Sequence, residues 1–255
     1  MRLARFTLFT TAFILLTACV SEKPRTAGEP DLARAAAINK QLGAEYLRQG
    51  KLALAKEKLE RAEKYNPKDP ETHSVLALLY EQLNNPAQVD RHYRTAISLA
   101  PKDPQILNNY AVYLCKNGRT DEGVKRFLDA ARNPLYRTPE LAYTNAGVCL
   151  RAAKRYDEAS SAFARALEVR PDFAEAAYQW ADLEIEQGRL TSGREKLDKY
   201  LASYDATADL LLLGVRVTRA LGDRLAEEKY TRRLRVEFPE SQQLRSLAEQ
   251  KRNPG

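Results

Sequence analysis

The sequence predicts an all-α protein: a right-handed superhelical solenoid of six helix-turn-helix repeats, closed by a C-terminal capping helix. Three observations predict it. From residue 36 to residue 241 the chain resembles itself at a period near 34, which is the mark of a helical repeat array. Within each period apolar residues recur at helical spacing, with Gly, Asn or Lys in the middle and, in four of the six periods, Pro near the end. Apolar residues are 44% and charged residues 29% of the 255, which is ordinary globular usage and excludes wholesale disorder. No run of 18 or more uncharged apolar residues occurs, so the chain is not a polytopic membrane protein.

The N-terminus gives an address. Arg2 and Arg5 form a positive region, and Phe6 to Ala18 is thirteen residues without a charge. That suits the apolar core of a signal peptide (residues 1–18) and is too short for a comfortable membrane span. The stretch ends Leu16-Thr17-Ala18-Cys19, which resembles the bacterial lipobox. The resemblance implies cleavage before Cys19 and acylation of its sulfur and its new amino group. The bland alternative is an ordinary signal peptide with a chance cysteine; Leu at −3 and Ala at −1 favour the lipobox. Val20, rather than Asp, follows the cysteine and implies the outer membrane of a Gram-negative cell, facing the periplasm. Several acyl chains make a stable anchor where one does not. The mature chain is then 255 − 18 = 237 residues. Its net charge is 7 − 2 = +5, a weak argument for an anionic partner. Residues 19–35 read as the lipidated cysteine and a flexible tether, with Pro24, Gly28 and Pro30 and no apolar period. The twelve residues Val20 to Asp31 reach roughly 17–21 Å.

The repeats follow in order. The first (36–69) carries Leu42, Gly43, Tyr46, Gly50, Ala55, Leu59, Ala62 and Pro67; the second (70–103) carries Leu76, Ala77, Tyr80, Asn84, Val89, Tyr93, Ala96 and Pro101. The third (104–139) has Tyr110, Ala111, Leu114, Gly118, Gly123, Phe127 and Ala130, and is two residues longer near Asn133-Pro134. The fourth (140–173) has Ala146, Gly147, Leu150, Lys154, Ala159, Phe163, Ala166 and Pro171; the fifth (174–207) has Trp180, Ala181, Glu184, Gly188, Gly193, Leu197 and Tyr200. The sixth (208–241) keeps Gly214, Val215, Gly222, Phe238 and Pro239, with Glu227 and Thr231 where a small and an aromatic residue are usual. These residues resemble the tetratricopeptide repeat. Small residues at positions 8 and 20 let helices A and B approach, and bulky ones at 7, 11 and 24 fill the space between. Gly, Asn or Lys near position 15 ends helix A in a left-handed turn, and Pro at 32 ends helix B. One pair cannot bury its apolar face alone, so neighbours must stack. Residues 242–255 read as a short capping helix, with Leu244 and Leu247 facing inward, and a tail.

No catalytic constellation occurs: no Gly-rich phosphate loop, no nucleophile elbow and no His-Glu-x-x-His. The only two histidines, His73 and His92, read as structural or surface residues, so no enzyme activity, cofactor, metal or small-molecule substrate is expected. Arg232, Arg233 and Arg235 are flanked by Glu227, Glu228, Glu237 and Glu240, a solvated helix face rather than a nucleic-acid site.

Cys115 and Cys149 remain, an even number for an oxidising compartment. They stand at positions 12 and 10 of successive A helices, whose axes in stacked repeats lie roughly 8–10 Å apart. A disulfide needs Cα atoms within about 7 Å, so facing side chains just reach. Two small buried apolar side chains are the other reading; the position of the pair favours the bond, as a staple where the insertion loosens the array.

The segments Asn108-Asn109-Tyr110-Ala111-Val112-Tyr113-Leu114-Cys115 and Thr144-Asn145-Ala146-Gly147-Val148-Cys149 resemble the paired-cysteine pattern of the type IV pilus lipoproteins of the PilF/PilW family. Signal, lipobox, length, six repeats and both cysteines agree; Ala111 stands where that family commonly has Gly. The resemblance implies a pilotin, an outer-membrane lipoprotein that promotes localisation and multimerisation of the pilus secretin, its protein partner, and acts as a monomer. The expected groove is the inner face of the A helices, positions 2, 5, 9, 12 and 13: Ala37, Lys40, Ala44, Leu47 and Arg48, then Glu71, Ser74, Leu78, Glu81 and Gln82, then Asn108, Val112, Thr144 and Val148 as a more polar floor. Ala44, Leu47 and Leu78 form an apolar stretch rimmed by Lys40, Arg48 and Glu81, suited to a helix or an extended peptide. The competing occupant is the chain's own segment Leu32 to Ala36. A carboxylate clamp for chaperone tails is not matched, since Ala44 and Val75 stand where Asn is expected. The alternative function is a periplasmic adaptor lipoprotein for peptidoglycan hydrolases or outer-membrane protein assembly.

Overall fold

The computed structural model describes residues 31–252. The signal segment, Cys19 and the tether up to residue 30 lie outside the described residues. Within them the chain forms thirteen α-helices and no strand. The A helices are α1 (Leu32–Arg48), α3 (Pro70–Gln82), α5 (Pro104–Lys116), α7 (Pro139–Ala152), α9 (Ala174–Glu186) and α11 (Ala208–Ala220). Their B partners are α2 (Leu52–Tyr65), α4 (Pro86–Leu99), α6 (Thr120–Ala131), α8 (Tyr156–Val169), α10 (Leu190–Leu201) and α12 (Arg224–Glu237), and α13 (Gln242–Arg252) follows. Each A helix packs on its own B helix and on the next A helix in line, from α1 through α11. This is the expected tetratricopeptide solenoid.

Local chemistry sets the helix ends. Pro stands in the first turn of α3, α4, α5 and α7, where its missing N–H costs nothing. Side chains of Asn85, Asp103, Thr207 and Asp223 accept a backbone N–H of the first turn. Each A helix stops at a left-handed residue: Gly50, Asn84, Gly118, Lys154, Gly188 and Gly222, with φ between 53° and 74°. The step from Gly118 to Lys154 is 36 residues and every other step is 34, so the repeat frame can be read off these six turns.

The first helix corrects one boundary. The Asp31 carboxylate accepts the Arg34 N–H at 3.0 Å, and the helix runs from Leu32, so the tether ends at Asp31 rather than at residue 35. Leu32 to Ala35 add a turn to α1. A segment continuous with α1 cannot fold back over α1's own inner face, which removes Leu32–Ala36 as occupant of the groove. The two-residue insertion is corrected too. It does not loosen the array: Tyr136 is buried between repeats three and four, and Asn133 Nδ2 donates to the Lys102 carbonyl at 2.6 Å.

The core is a row of clusters, each shared by neighbouring helix pairs. Leu59, Leu76, Tyr93, Leu114, Phe127, Phe163, Leu197 and Leu234 are almost fully buried, each contributing about 1.5–3 kcal/mol. The close A–B approach shows at Gly147, where an added Cβ would stand 2.4 Å from Phe163 Cε1. In repeat six the degenerate positions have their own solution. Tyr230, one residue before Thr231, lays its ring against Gly214, and its hydroxyl donates to Asp198 at 2.6 Å. Glu227 accepts from Arg219 at 2.8 Å. At the end of the array Ser241 Oγ accepts the Leu244 N–H at 3.2 Å, and Leu247 is buried against α11.

Candidate functional site

Equivalent positions of stacked A helices lie side by side, so one position per repeat draws a line across the inner face. Position 9 is Ala44, Leu78, Val112 and Val148 in the first four repeats, and Asp182 in the fifth. Ala44, Leu78 and Val112 are partly exposed and Val148 is 40% exposed. This is an apolar stripe open along one edge. It is the part of the expected groove that offers contact area.

Four expected groove residues are not on an open surface. Leu47 is 7% exposed because it packs with Ala55, Leu59, Leu76 and Leu79 at the junction of repeats one and two. Ser74 and Asn108 are 4% and 5% exposed, and Asn145 Nδ2 of the next A helix donates to Asn108 Oδ1 at 3.3 Å. Thr144 is buried and its hydroxyl donates to the Glu140 carbonyl of its own helix at 2.8 Å. For Leu47 and Asn108 the physical reason is shared. A position that looks free in one repeat is covered when the next repeat stacks on it.

The rim is also less free than the sequence suggests. Lys40 Nζ lies 3.1 Å from Asp69 and bonds Glu71, so it ties α1 to the start of α3. Burial pulls the Lys40 ammonium down, but the two carboxylates outweigh it and hold its pKa above the ordinary lysine value. Asp69 is pushed up by burial, yet the Thr72 hydroxyl and Lys40 hold it below the ordinary value. Glu81 accepts from Lys116 at 2.9 Å, linking α3 to α5. Arg48 is exposed and bonds Glu45 of its own helix. Ala37 is exposed. Further along, Arg151 reaches Asp182 at 2.7 Å, Glu186 at 2.6 Å and Gln179 at 3.1 Å, linking α7 to α9. Burial lowers the Arg151 pKa and the two carboxylates raise it further, so the guanidinium stays charged.

Between α5 and α7 the link is covalent. Cys115 and Cys149 form a disulfide, with Cα atoms 5.6 Å apart. Each of the first four A–A junctions thus carries a polar or covalent tie along the inner face, while the fifth is apolar, built on Ala177, Ala181, Leu210, Leu213 and Val217. Beyond the expected Val148, Lys116, Asn145, Arg151, Gln179, Asp182 and Glu186 complete this face. Continuing the inner positions through repeats three to five would have found Lys116, Arg151, Asp182 and Glu186.

Most charged groups of this face pair with one another, and between them runs an apolar stripe with fixed polar edges. The two histidines are elsewhere, buried between repeats one and two. Burial, and then the neighbouring His73, depresses the His92 pKa to about 4.

Comparison with known proteins agrees with the geometry. Tetratricopeptide-repeat family models match residues 40–88, 92–125 and 144–209. The type IV pilus assembly protein PilF of Pseudomonas aeruginosa is 27% identical over 228 residues, covering 89% of this chain and 90% of that protein. Among solved structures, PilW, described as a widely conserved type IV pilus biogenesis factor, is 30% identical with a TM-score of 0.65, covering 84% of this chain and 99% of PilW. The structure of P. aeruginosa PilF is 26% identical, also with a TM-score of 0.65, covering 86% and 99%. This chain therefore belongs to the PilF/PilW family of tetratricopeptide-repeat proteins.

Proposed function

We propose that this protein is a pilotin: a lipoprotein of the outer membrane, facing the periplasm, that binds the type IV pilus secretin and promotes its localisation and multimerisation. The observation that carries the reading is the extent of the likeness. It spans the whole solenoid of PilW, a named pilus biogenesis factor, rather than a few repeats. Cys19, after Leu16-Thr17-Ala18, supplies the anchor in this reading. The position-9 stripe from Ala44 to Val148 supplies the docking face for one segment of a secretin protomer, apolar along its centre and ion-paired along its edges. The covalent tie between α5 and α7 holds the middle of that face rigid, so that binding spends little free energy on ordering it.

The mechanism needs no chemistry. Acyl chains carry the complex to the outer membrane, and the face holds the protomer until ring contacts replace it. The direct test is Cys19→Ala. The variant is expected to fold as the parent does and to leave the secretin outside the outer-membrane fraction. Correct secretin localisation with this variant contradicts the lipid-carrier role.

A further inference from the structure

Away from the inner face, Glu63 near the end of α2, His73 on α3 and His92 on α4 bring their ligand atoms together. His73 Nδ1 and His92 Nδ1 are 3.1 Å apart, and Glu63 Oε1 is 3.8 Å from His73 Nδ1. One ligand atom from each of the three residues lies within 4.8 Å of the other two, and no other group of three or more His, Cys, Asp or Glu side chains among the described residues is so placed.

The tautomers follow from the surroundings. His73 Nε2 is 2.9 Å from the Pro67 carbonyl oxygen, which only accepts, so the proton of neutral His73 sits on Nε2. Its Nδ1 therefore points a lone pair at His92 and Glu63. The carboxylate presents lone pairs as well. In the absence of an ion, His92 Nδ1–H donates to His73 Nδ1. If that proton moves to Nε2 of His92, lone pairs of all three groups face the same space; the two imidazoles point nearly head-on, with ring centroids 5.4 Å apart, so both rings must tilt within their planes for one ion to meet both nitrogens.

We propose that Glu63, His73 and His92 bind a divalent transition-metal ion of the zinc class at the junction of the first two repeats. Two nitrogens on one tetrahedral zinc, each about 2.05 Å from the metal, stand about 3.3 Å apart; the 3.1 Å observed between the rings is within a few tenths of that. Two histidines and one glutamate are a recurrent zinc set, with a fourth position left for water. Glu63 is the half-buried member, with 27% of its side chain accessible against 6% for His73, so its carboxylate has room to turn onto the ion. The bond from His73 Nε2–H to a backbone carbonyl is the outer-shell contact that fixes a liganding imidazole. The Tyr80 ring stacks on His92 at 5.4 Å and 9°, limiting its rotation. The ion would tie the B helix of repeat one to both helices of repeat two.

The test uses the purified full chain in detergent, without a polyhistidine tag, stripped with a chelator and titrated with zinc chloride against a competing chromophoric chelator. One equivalent of zinc is expected to bind, with a rise in Tm, and cobalt in its place should show the visible absorption of a four-coordinate ion. Glu63→Gln should weaken zinc binding roughly 10–100-fold, and His92→Gln should abolish it. Should His92→Gln fail to fold, Glu63→Gln decides alone. Absence of a saturable single site, or zinc affinity unchanged in Glu63→Gln, overturns the proposal.

Discussion

Cys115 on α5 and Cys149 on α7 are joined by a disulfide across 34 residues of sequence, one repeat length, so the bond links two helices that are neighbours in space and not in sequence. In a solenoid each repeat contacts only its neighbours, and a break at one interface can divide the array. The disulfide closes that break at the junction nearest the centre.

Removing it should show that. Closing a loop of about 34 residues restricts the unfolded chain by about 3–4 kcal/mol in the loop-entropy account. The double substitution Cys115→Ala/Cys149→Ala should lower unfolding free energy by that order and broaden the thermal transition as the two halves uncouple. Calorimetry of the variant beside the parent, oxidised and reduced, measures it.

Gly123 is expected to tolerate no side chain. An added Cβ would stand 2.4 Å from Cys115 Sγ and 3.1 Å from the Ala111 carbonyl oxygen. Gly123→Ala must push α6 away from α5 or displace the sulfur. A loss of about 1–3 kcal/mol is predicted. Chemical denaturation, with a free-thiol assay of the same sample, tests both consequences.

The array was legible in the sequence and the face only in part. Gly50, Asn84, Gly118, Lys154, Gly188 and Gly222 mark the period because a left-handed turn tolerates few residue types, so local chemistry alone exposes them. Position 9 could be read because it follows from the period. The burial of Leu47 and Asn108 could not, since it depends on how far one repeat rotates over the next. The extra turn at Leu32 hid behind Pro30, which reads as a linker signal and instead stands just before the N-cap Asp31. The approach of His73 to His92 joins two helices and leaves no mark in either.

That difference separates two substitutions. Leu47→Asp places a charge in packed apolar surroundings and should destabilise the protein by more than about 3 kcal/mol, so any loss of partner binding would be indirect. Val148→Asp alters an exposed point of the stripe; its unfolding free energy should stay within about 0.5 kcal/mol of the parent's, while secretin co-purification falls. Unchanged co-purification with Val148→Asp removes the stripe from the docking face.

Acid should weaken the fifth repeat through Glu184. This carboxylate is buried, accepts from Arg189 at 2.7 Å, and is held below the ordinary glutamate value of 4.5 mainly by that bond. A group whose pKa is lower folded than unfolded adds stability that is present above the unfolded value and lost as pH falls through the folded one. The contribution is therefore full at neutral pH, begins to fall near the unfolded value and is lost as pH drops through the lower folded one. Glu184→Gln should lower stability at pH 7 and flatten its acid dependence; equal acid slopes for variant and parent would contradict the assignment.

The central claim is that this solenoid assembles a pilus secretin, and secretin multimers measure it most directly. Outer membranes are fractionated from cells with and without the protein and separated under conditions that preserve the ring. The account predicts that multimers vanish from the outer membrane in its absence, with monomers persisting or stranded elsewhere. Normal multimers in the correct membrane would contradict it, leaving the repeat fold intact and the client of its inner face to be sought among other envelope proteins.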